Sequence, residues 1–349
     1  MKIRKIQSLK RDKISLLSRR NYLRLDKNER ISPFLNTIVK KAQLDSFDLT
    51  AYPETGKVYK KLSKINKLSK ENFILTAGSE FGIRMCFEYF CQNNNKKIIT
   101  LEPTFGMVEV YSKLFNIKQI KINYDKNFYL EISKLLKQIN RNISLIVLAN
   151  PNSPTGTIIE HNLIIKILKK SNQFNVPVLI DEAYFGFYNI SYIKLIKKFS
   201  NLLILRTFSK SFGLAGLRAG YLVSNKKLII ELSKFKSMYE INSAAVKVVL
   251  FLLDNPNHIK NYINQTRIGK LFFEKELKKL NINFLKTYAN FIHIKLGDKK
   301  KKIEKIFIKS KILTRKGPGV IGFEDYLRVS LGPKKQMQAV ILILKKYFK

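Results

Sequence analysis

Four side chains between residues 207 and 218 form the most reactive combination in the sequence, and an amine lies at its centre. Lys210 follows an apolar run that is typical of a buried strand, and lysine is seldom buried without a partner or a reaction to perform. An amine that is desolvated and flanked by cations is activated toward a carbonyl carbon, with which it forms a Schiff base. The hydroxyls of Thr207 and Ser209 and the guanidinium of Arg218 suit a phosphate carried by that carbonyl compound. The segment therefore predicts the binding of a phosphorylated aldehyde.

Asp181 is a second residue that is predicted to contact a ligand. It ends another apolar run, residues 176–180, where a carboxylate is costly unless it meets a cation or hydrogen-bond donors. A protonated pyridine nitrogen is such a cation, and a neighbouring carboxylate keeps the ring protonated. The protonated ring is then an electron sink. Lys210 and Asp181 together predict pyridoxal 5′-phosphate as the cofactor.

A parallel sheet would bring these groups together. From about residue 72 to residue 225, short apolar strands alternate with helical segments, a pattern that predicts an α/β fold with a parallel sheet. Sites in such sheets gather at the C-terminal ends of the strands. Gly78, Asp181 and Lys210 each follow a strand, so we expect them at one edge.

The turn after the first of these strands is suited to an anion. Small residues at a strand-to-helix turn let main-chain N–H groups converge on a phosphate, and the helix dipole assists. Gly78, Ser79 and Glu80 are therefore predicted to bind the cofactor phosphate, although serine is also an ordinary helix N-cap.

In their order along the chain, these segments resemble the class I and II aminotransferases of fold type I, and specifically the histidinol-phosphate aminotransferase group. The resemblance covers about residues 25 to 340 and includes Thr-Phe-Ser-Lys-Ser at 207–211 and Asp-Glu-Ala-Tyr at 181–184. It implies a large domain with a mostly parallel seven-stranded sheet flanked by helices, plus a smaller α+β domain. The expected division is as follows: residues 1–40, an N-terminal segment packing with the small domain; residues 41–240, the large cofactor-binding domain; residues 241–349, the small domain.

The resemblance also implies roles for further cofactor-binding side chains. Phe105 would stack on the pyridine ring, Tyr184 would contact the phenolic oxygen, and Tyr52 would reach the cofactor phosphate of a second subunit, which implies a homodimer. In the loop Asn-Pro-Asn-Ser-Pro-Thr-Gly, the family register puts Ser153 where relatives have an asparagine that donates to the phenolic oxygen. We favour Asn152, one residue earlier, for this contact, and the serine hydroxyl is the alternative.

Three residues are implied to bind the substrate. Arg328, in Leu-Arg-Val-Ser-Leu-Gly, matches an arginine that clamps the substrate's α-carboxylate with a bidentate fork. Arg315 falls where the group places an arginine toward the distal phosphate, and Asn28 lies in a segment near the substrate entrance.

The implied reaction is the transfer of an amino group between an anionic amine and a 2-oxo acid such as 2-oxoglutarate, with histidinol phosphate as the first choice of donor. Lys210 would move the proton, with Asp181 and Tyr184 as the other catalytic groups. A related enzyme acting on an aromatic amino acid, a phosphonate or a surface-polymer precursor, or a decarboxylase of amino-acid phosphates, remains open. An inactive, basic scaffold that binds nucleic acid is an alternative of a different class.

The composition bears on that last alternative. The formal net charge is +41, but the basic residues are spread along the chain and comprise 53 lysines and only 13 arginines. Specific readout of nucleic acid favours arginine forks, so we expect no specific nucleic-acid partner. No apolar run approaches the ~20 residues that span a bilayer, and residues 1–20 lack the apolar stretch of a secretory signal. We therefore expect a cytoplasmic protein without a membrane partner. The three histidines, whose spacing suggests no metal site, are His161, His258 and His293.

Overall fold

The computed structural model describes residues 17–92, 96–125 and 128–348. The strands in these residues are β1 Leu23–Arg24, β2 Phe73–Thr76, β3 Lys97–Glu102, β4 Lys118–Asn123, β5 Ile143–Ala149, β6 Val178–Asp181, β7 Leu202–Thr207, β8 Gly220–Val223, β9 Phe291–Lys295, β10 Ile312–Leu313, β11 Arg315–Lys316 and β12 Tyr326–Ser330. The α-helices are α1 Asn36–Lys41, α2 Ser46–Thr50, α3 Gly56–Asn66, α4 Gly78–Phe90, α5 Gly106–Leu114, α6 Ile132–Gln138, α7 His161–Gln173, α8 Lys226–Ser233, α9 Ser243–Asp254, α10 Asn257–Lys279, α11 Lys300–Lys309 and α12 Lys334–Leu344.

Seven strands form the central sheet, in the order β2-β8-β7-β6-β5-β3-β4. Six of them run parallel, and β8 runs against both of its neighbours. Every residue of β5, β6 and β7 is buried, as expected for parallel strands covered on both faces. This is the mostly parallel seven-stranded sheet expected from the sequence, and the expected fold class is confirmed.

Alternate residues of the central strands pack into two different cores. Ile146 and Leu148 of β5 join the core beneath α3, α7 and α9, whereas Leu145 and Val147 join the core beneath α4, α5 and α8. This division follows from the two-residue period of a strand, whose successive side chains point to opposite faces. The strand ends are thereby held rigidly from both sides, and the site residues follow those ends.

A second, smaller body has its own core. It contains the antiparallel sheet β11-β12-β9, the two-stranded parallel sheet β1-β10 and the helices α11 and α12. Leu25 and Ile31 of the N-terminal segment are buried in that core, which is the side on which the sequence placed residues 1–40. Residues 1–16 of that predicted segment lie outside the described residues.

Helix α9 packs with the large body although it follows residue 240. Its N-terminus is capped by Asn242, whose side chain accepts a hydrogen bond from the N–H of Ala245. Ala245, Val249, Leu252 and Leu253 are buried in the core beneath the central sheet. The large core thus continues past the predicted boundary, through Leu253. Among the described residues, no helix is long and apolar enough to cross a membrane.

Candidate active site

The site lies where β5, β6 and β7 end. Asp181 is the last residue of β6, and it pairs with Ala149 of β5 on one side and Leu205 of β7 on the other. Lys210 follows β7 by three residues, and the loop after β5 begins at Asn150. The predicted meeting of strand ends therefore occurs at the carboxyl edge of the sheet.

The amine of Lys210 is buried near two arginine side chains. Its amine donates a 3.1 Å hydrogen bond to the main-chain carbonyl of Lys27 and lies 5.9 Å from the ring centre of Tyr184. Burial, together with the positive charges of Arg328 and Arg218, lowers the pKa of Lys210 to about 8. An amine with such a pKa is unprotonated in about a tenth of the molecules at pH 7, a far larger share than for an ordinary lysine, and this fraction can act as a nucleophile or base.

Asp181 is buried at the same edge with little to balance its charge. Burial raises its pKa to about 7, against the N–H of Ala183, which donates a 3.0 Å hydrogen bond, and the charge of Lys210, which both lower it. Within residues 17–92, 96–125 and 128–348, no lysine or arginine forms an ion pair with this carboxylate. A protonated pyridine nitrogen would supply the missing cation, so the site fits the ring of the expected cofactor.

The N-terminus of α4 forms the predicted anion-binding turn. The helix begins at Gly78, which has a φ of +76°, and in the described part of the chain no side chain caps it. The first main-chain N–H groups, including those of Ser79 and Glu80, are then free to bind a phosphate. The carboxylate of Glu80 accepts a hydrogen bond from the hydroxyl of Tyr111 at 3.4 Å, so only its main chain serves the turn.

Arg218 closes the other side of this turn. Its guanidinium donates to the hydroxyl of Ser209 at 3.3 Å, and the N–H of Ser209 donates to the hydroxyl of Thr207 at 3.1 Å. A Cβ on Gly78 would lie 2.5 Å from that guanidinium, and one on Gly220 would lie 2.9 Å from the carbonyl carbon of Gly78. Glycine at both positions lets the arginine, the hydroxyls and the helix N-terminus converge, which is the cradle a phosphate requires.

Tyr184 lies between the N-terminal segment and the loop after β5. Its hydroxyl accepts a 3.1 Å hydrogen bond from the amide of Asn28. Burial raises the pKa of Tyr184, while the charge of Arg328 and a hydrogen bond with the Ser153 side chain oppose the rise. Asn28 is also bonded to the hydroxyl of Ser330, so its amide is fixed beside Tyr184.

The geometry disagrees with the expected role of Asn152. Its amide nitrogen donates to the carbonyl of Pro103 and to the hydroxyl of Thr155, both at 2.9 Å, and its oxygen accepts from Thr104 at 3.3 Å. The side chain is completely buried, and both amide hydrogens are used, one within the loop on Thr155 and one on Pro103 after β3. Asn152 therefore braces the loop, and the neighbouring Ser153 is the residue that reaches Tyr184.

The two predicted substrate arginines lie directly opposite each other. Arg315 of β11 pairs with Arg328 of β12, and side chains of such a pair project to the same face of the sheet. Arg315 is exposed, whereas Arg328 is buried and donates a 2.7 Å hydrogen bond to the carbonyl of Asp26. In the described structure the Nε of Arg328 is buried without an acceptor, so this guanidinium has a donor left for an anion.

The two remaining predicted cofactor-binding residues are aromatic. Phe105 is half-buried at the start of α5, after the end of β3. Tyr52 is 72% exposed and stacks on Tyr239 with ring centres 4.0 Å apart.

Several site groups escaped the sequence analysis. The carbonyls of Asp26 and Lys27 bind the two central cations, and no residue-type pattern announces a main-chain acceptor. His293, whose spacing from the other histidines suggests no metal site, bonds to the carbonyl of Pro154 beside Ser153. The one hint was a histidine inside an apolar strand, Phe-Ile-His-Ile.

Comparison with known families agrees with this geometry. The family model described as aminotransferase class I and II matches residues 20–344. The chain belongs to this family. The expected transaminase is thereby confirmed, and with it the dependence on pyridoxal 5′-phosphate.

Within this family, the chain is similar in sequence to several histidinol-phosphate aminotransferases. It is 35% identical over 330 residues to a histidinol-phosphate aminotransferase of Buchnera aphidicola subsp. Cinara cedri, which covers 93% of this chain and 91% of that one. It is 32% identical over 335 residues to the enzyme of the same name from Flavobacterium psychrophilum, with 93% and 90% covered.

A solved structure shows the same fold. The histidinol-phosphate aminotransferase of Sinorhizobium meliloti, in complex with pyridoxal 5′-phosphate, superposes on this aminotransferase with a TM-score of 0.86 at 19% identity, over 98% of this chain and 96% of that one.

Proposed function

We propose that this aminotransferase takes its amino group from histidinol phosphate and gives it to a 2-oxo acid such as 2-oxoglutarate. The observation that carries the proposal is the pair Arg315 and Arg328, which project side by side from the small sheet. Histidinol phosphate bears a phosphate ester next to its amine-bearing carbon, and two guanidinium groups suit a dianionic phosphate. The same pair can hold a carboxylate of the acceptor, as a two-stage transfer through one site requires. The names of the relatives support this choice of donor.

The residues present define where the cofactor would be held. Lys210 would join its aldehyde carbon, Asp181 would pair with the ring nitrogen, and Phe105 would cover the ring. Ser209 and Arg218, with the amides at the start of α4, would bind the phosphate. When bound, pyridoxal phosphate withdraws electrons from the substrate's Cα and so makes the proton there acidic.

Lys210 would then move that proton. With its pKa near 8, the amine would be a base strong enough to remove the proton from Cα, and its protonated form would be an acid strong enough to pass the proton to the cofactor carbon. Arg328 would keep the substrate in place during this movement, since its carbonyl contact with Asp26 fixes one side of the guanidinium. Tyr184, held by Asn28 and Ser153, would keep a polar hydroxyl at the phenolic side of the ring.

The homodimer belongs to the same proposal. Tyr52 would complete the phosphate site of a second subunit, which its exposure and its stacking on Tyr239 permit. Hybrid dimers test this directly. Subunits with Tyr52→Ala and subunits with Lys210→Ala should each be poorly active alone. In an equal mixture, half of the dimers are hybrids with one complete site out of two, so the mixture should regain up to about a quarter of the wild-type activity. No recovery on mixing would refute a shared site. We also propose that the protein is cytoplasmic and binds no specific nucleic acid.

Single-turnover spectroscopy tests the donor. The purified protein should show a visible absorption band from the cofactor joined to Lys210, and one equivalent of histidinol phosphate should abolish it. Arg315→Ala should weaken the apparent affinity for histidinol phosphate about 10–100-fold, as expected for a lost charged hydrogen bond. Arg267→Ala, at an exposed arginine on α10, is the matched control.

Two results would contradict the assignment. If histidinol phosphate leaves the band unchanged while an aromatic amino acid converts it, the donor is wrong. If O-phosphothreonine releases carbon dioxide without loss of the band, the chain is a decarboxylase of the same fold.

A further inference from the structure

His293 is a buried polar side chain that the proposed chemistry does not use. It lies in β9 with no exposed surface, and its Nε2 is 2.7 Å from the carbonyl oxygen of Pro154. A carbonyl can only accept a hydrogen bond, so Nε2 carries the proton and Nδ1 is the unprotonated nitrogen. In the described part of the chain Nδ1 is buried without a partner. An apolar side chain would avoid that desolvation cost, so the imidazole needs a reason to be there.

The ring is neutral at any ordinary pH. Burial, with a smaller contribution from the charge of Arg328, lowers the pKa of His293 to about 4, and only the carbonyl of Pro154 opposes the change. Arg328 is the cross-strand partner of His293, and Arg315 lies beyond Arg328, so the three side chains form one row on the same face. With Arg328 beside it on the neighbouring strand, the neutral imidazole serves as a fixed donor to Pro154 rather than as a titrating group.

The loop that His293 holds is the one that carries Ser153. The same segment of the small body makes a second bond to it, from the N–H of Tyr288 to the carbonyl of Gly156 at 2.9 Å. Thr287 packs against Gly156 so closely that a Cβ there would lie 2.5 Å from its hydroxyl. The loop is thus hydrogen-bonded to the small body on both sides of residue 155, at Pro154 and at Gly156. The bond at Pro154 is the one next to Ser153.

We infer that His293 is a positioning residue: by donating to Pro154, it sets the place of the Ser153 hydroxyl beside Tyr184 and so the hydrogen bond that Ser153 gives to the phenolic oxygen of the cofactor. This inference rests on the proposed function in requiring the cofactor at Lys210. It gives Ser153 the contact for which Asn152 is unsuited, because both amide hydrogens of Asn152 are already donated to Pro103 and Thr155. It also makes the small body, which carries the substrate arginines, responsible for one side of the cofactor site.

The pKa of the visible band of the bound cofactor measures this hydrogen bond. A donor at the phenolic oxygen stabilises its charged form and lowers that pKa. Ser153→Ala should therefore raise the pKa by about one unit, and His293→Leu, which removes the donor to Pro154 at similar volume, should raise it by at least half as much. His293→Gln, whose amide can still reach the carbonyl, should stay within a few tenths of the wild type.

A double variant separates positioning from a general loss of packing. If His293 acts through Ser153, then adding His293→Leu to Ser153→Ala should produce no further shift. Equal shifts in both backgrounds would overturn the inference, as would an unchanged pKa in a folded His293→Leu protein with full cofactor content. Should the leucine variant fail to fold, His293→Asn, too short to reach Pro154, should shift the pKa while His293→Gln does not.

A measurement on the full chain without cofactor keeps this inference distinct from the proposed function. Amide hydrogen exchange in residues 152–157 should be faster in His293→Asn than in His293→Gln, because only the former loses the hydrogen bond to Pro154. Equal exchange would overturn the role of His293. A wild-type protein that exchanges as expected but shows no visible band would instead overturn the cofactor site at Lys210, and with it the consequence for Ser153.

Discussion

The guanidinium of Arg328 donates a 2.7 Å hydrogen bond to the main-chain carbonyl of Asp26. The arginine expected to bind substrate is thus oriented by the N-terminal segment, and the neighbouring carbonyl of Lys27 accepts from the amine of Lys210. Two consecutive peptide groups therefore hold the two cations on which the proposed reaction depends.

Arg328→Lys should slow both halves of the reaction. Lysine keeps the charge but lacks the planar fork, so one anion contact and the bond to Asp26 cannot both be kept. We expect kcat/KM to fall on the order of 100-fold with either histidinol phosphate or 2-oxoglutarate, the effect of losing a charged hydrogen bond of about 1.5–3 kcal/mol. Rapid-mixing absorbance of each half-reaction measures this. A loss confined to one substrate would show that donor and acceptor use different arginines.

Asp181→Asn should stabilise the chain in the absence of cofactor. The folded carboxyl, with a pKa of about 7, keeps its proton between about pH 4 and pH 7, where the unfolded one has lost it. The free energy of unfolding from this group therefore falls as pH rises through that window. At pH 8 the asparagine variant should be more stable by roughly 2–4 kcal/mol, since each pKa unit corresponds to about 1.4 kcal/mol.

Urea unfolding of cofactor-free wild type and variant at pH 5 and pH 8 checks this prediction. The difference between them should be larger at pH 8, and with cofactor bound the variant should lose most of its activity. A difference that does not depend on pH would mean that Asp181 is ionised in the folded chain throughout.

Lys210 should react with aldehydes at a lower pH than the other lysines. Its pKa of about 8, lowered mainly by burial, leaves the free amine abundant at pH 8, where an ordinary lysine near 10.4 is almost fully protonated. Reductive labelling of the cofactor-free protein with a small aldehyde, followed by peptide mass spectrometry, should give a labelling rate at Lys210 that rises with a midpoint near pH 8. Lys226, exposed on α8, provides the comparison. Parallel pH profiles for the two would contradict the lowered pKa.

Gly220→Ala should weaken cofactor binding, whereas Gly216→Ala should not. A Cβ at residue 220 would lie 2.7 Å from the carbonyl oxygen of Arg206 and 2.9 Å from the amide nitrogen of Ser79, both main-chain atoms that cannot move independently. At residue 216 a Cβ would meet nothing within 4 Å. We expect at least a tenfold rise in the Kd for pyridoxal phosphate at the first position and less than a twofold change at the second, measured by absorbance titration. Similar Kd values would mean that the turn can widen without cost.

The sequence was sufficient for the groups that occur at strand ends. Asp181 and Lys210 could be placed because a buried strand, read from its apolar run, fixes where its last residue lies. Asn152 and Ser153 could not be told apart, because neighbouring loop residues point in different directions and the loop's own hydrogen bonds decide which is free. The relation of His293 to Arg328 depends on the pairing of two strands more than thirty residues apart in the chain, for which no local pattern exists.

The packing of α9 bears on how the chain could be divided. A fragment that starts at residue 241 would carry Val249 and Leu252 on a helix face whose natural cover, the central sheet, had been left behind. Such a face, newly exposed to water, favours self-association. A fragment meant to contain only the small body should therefore begin after Asp254, the last residue of α9. Fragments that begin between residue 241 and Asp254 should aggregate, because they keep part of α9 without the sheet that covers it.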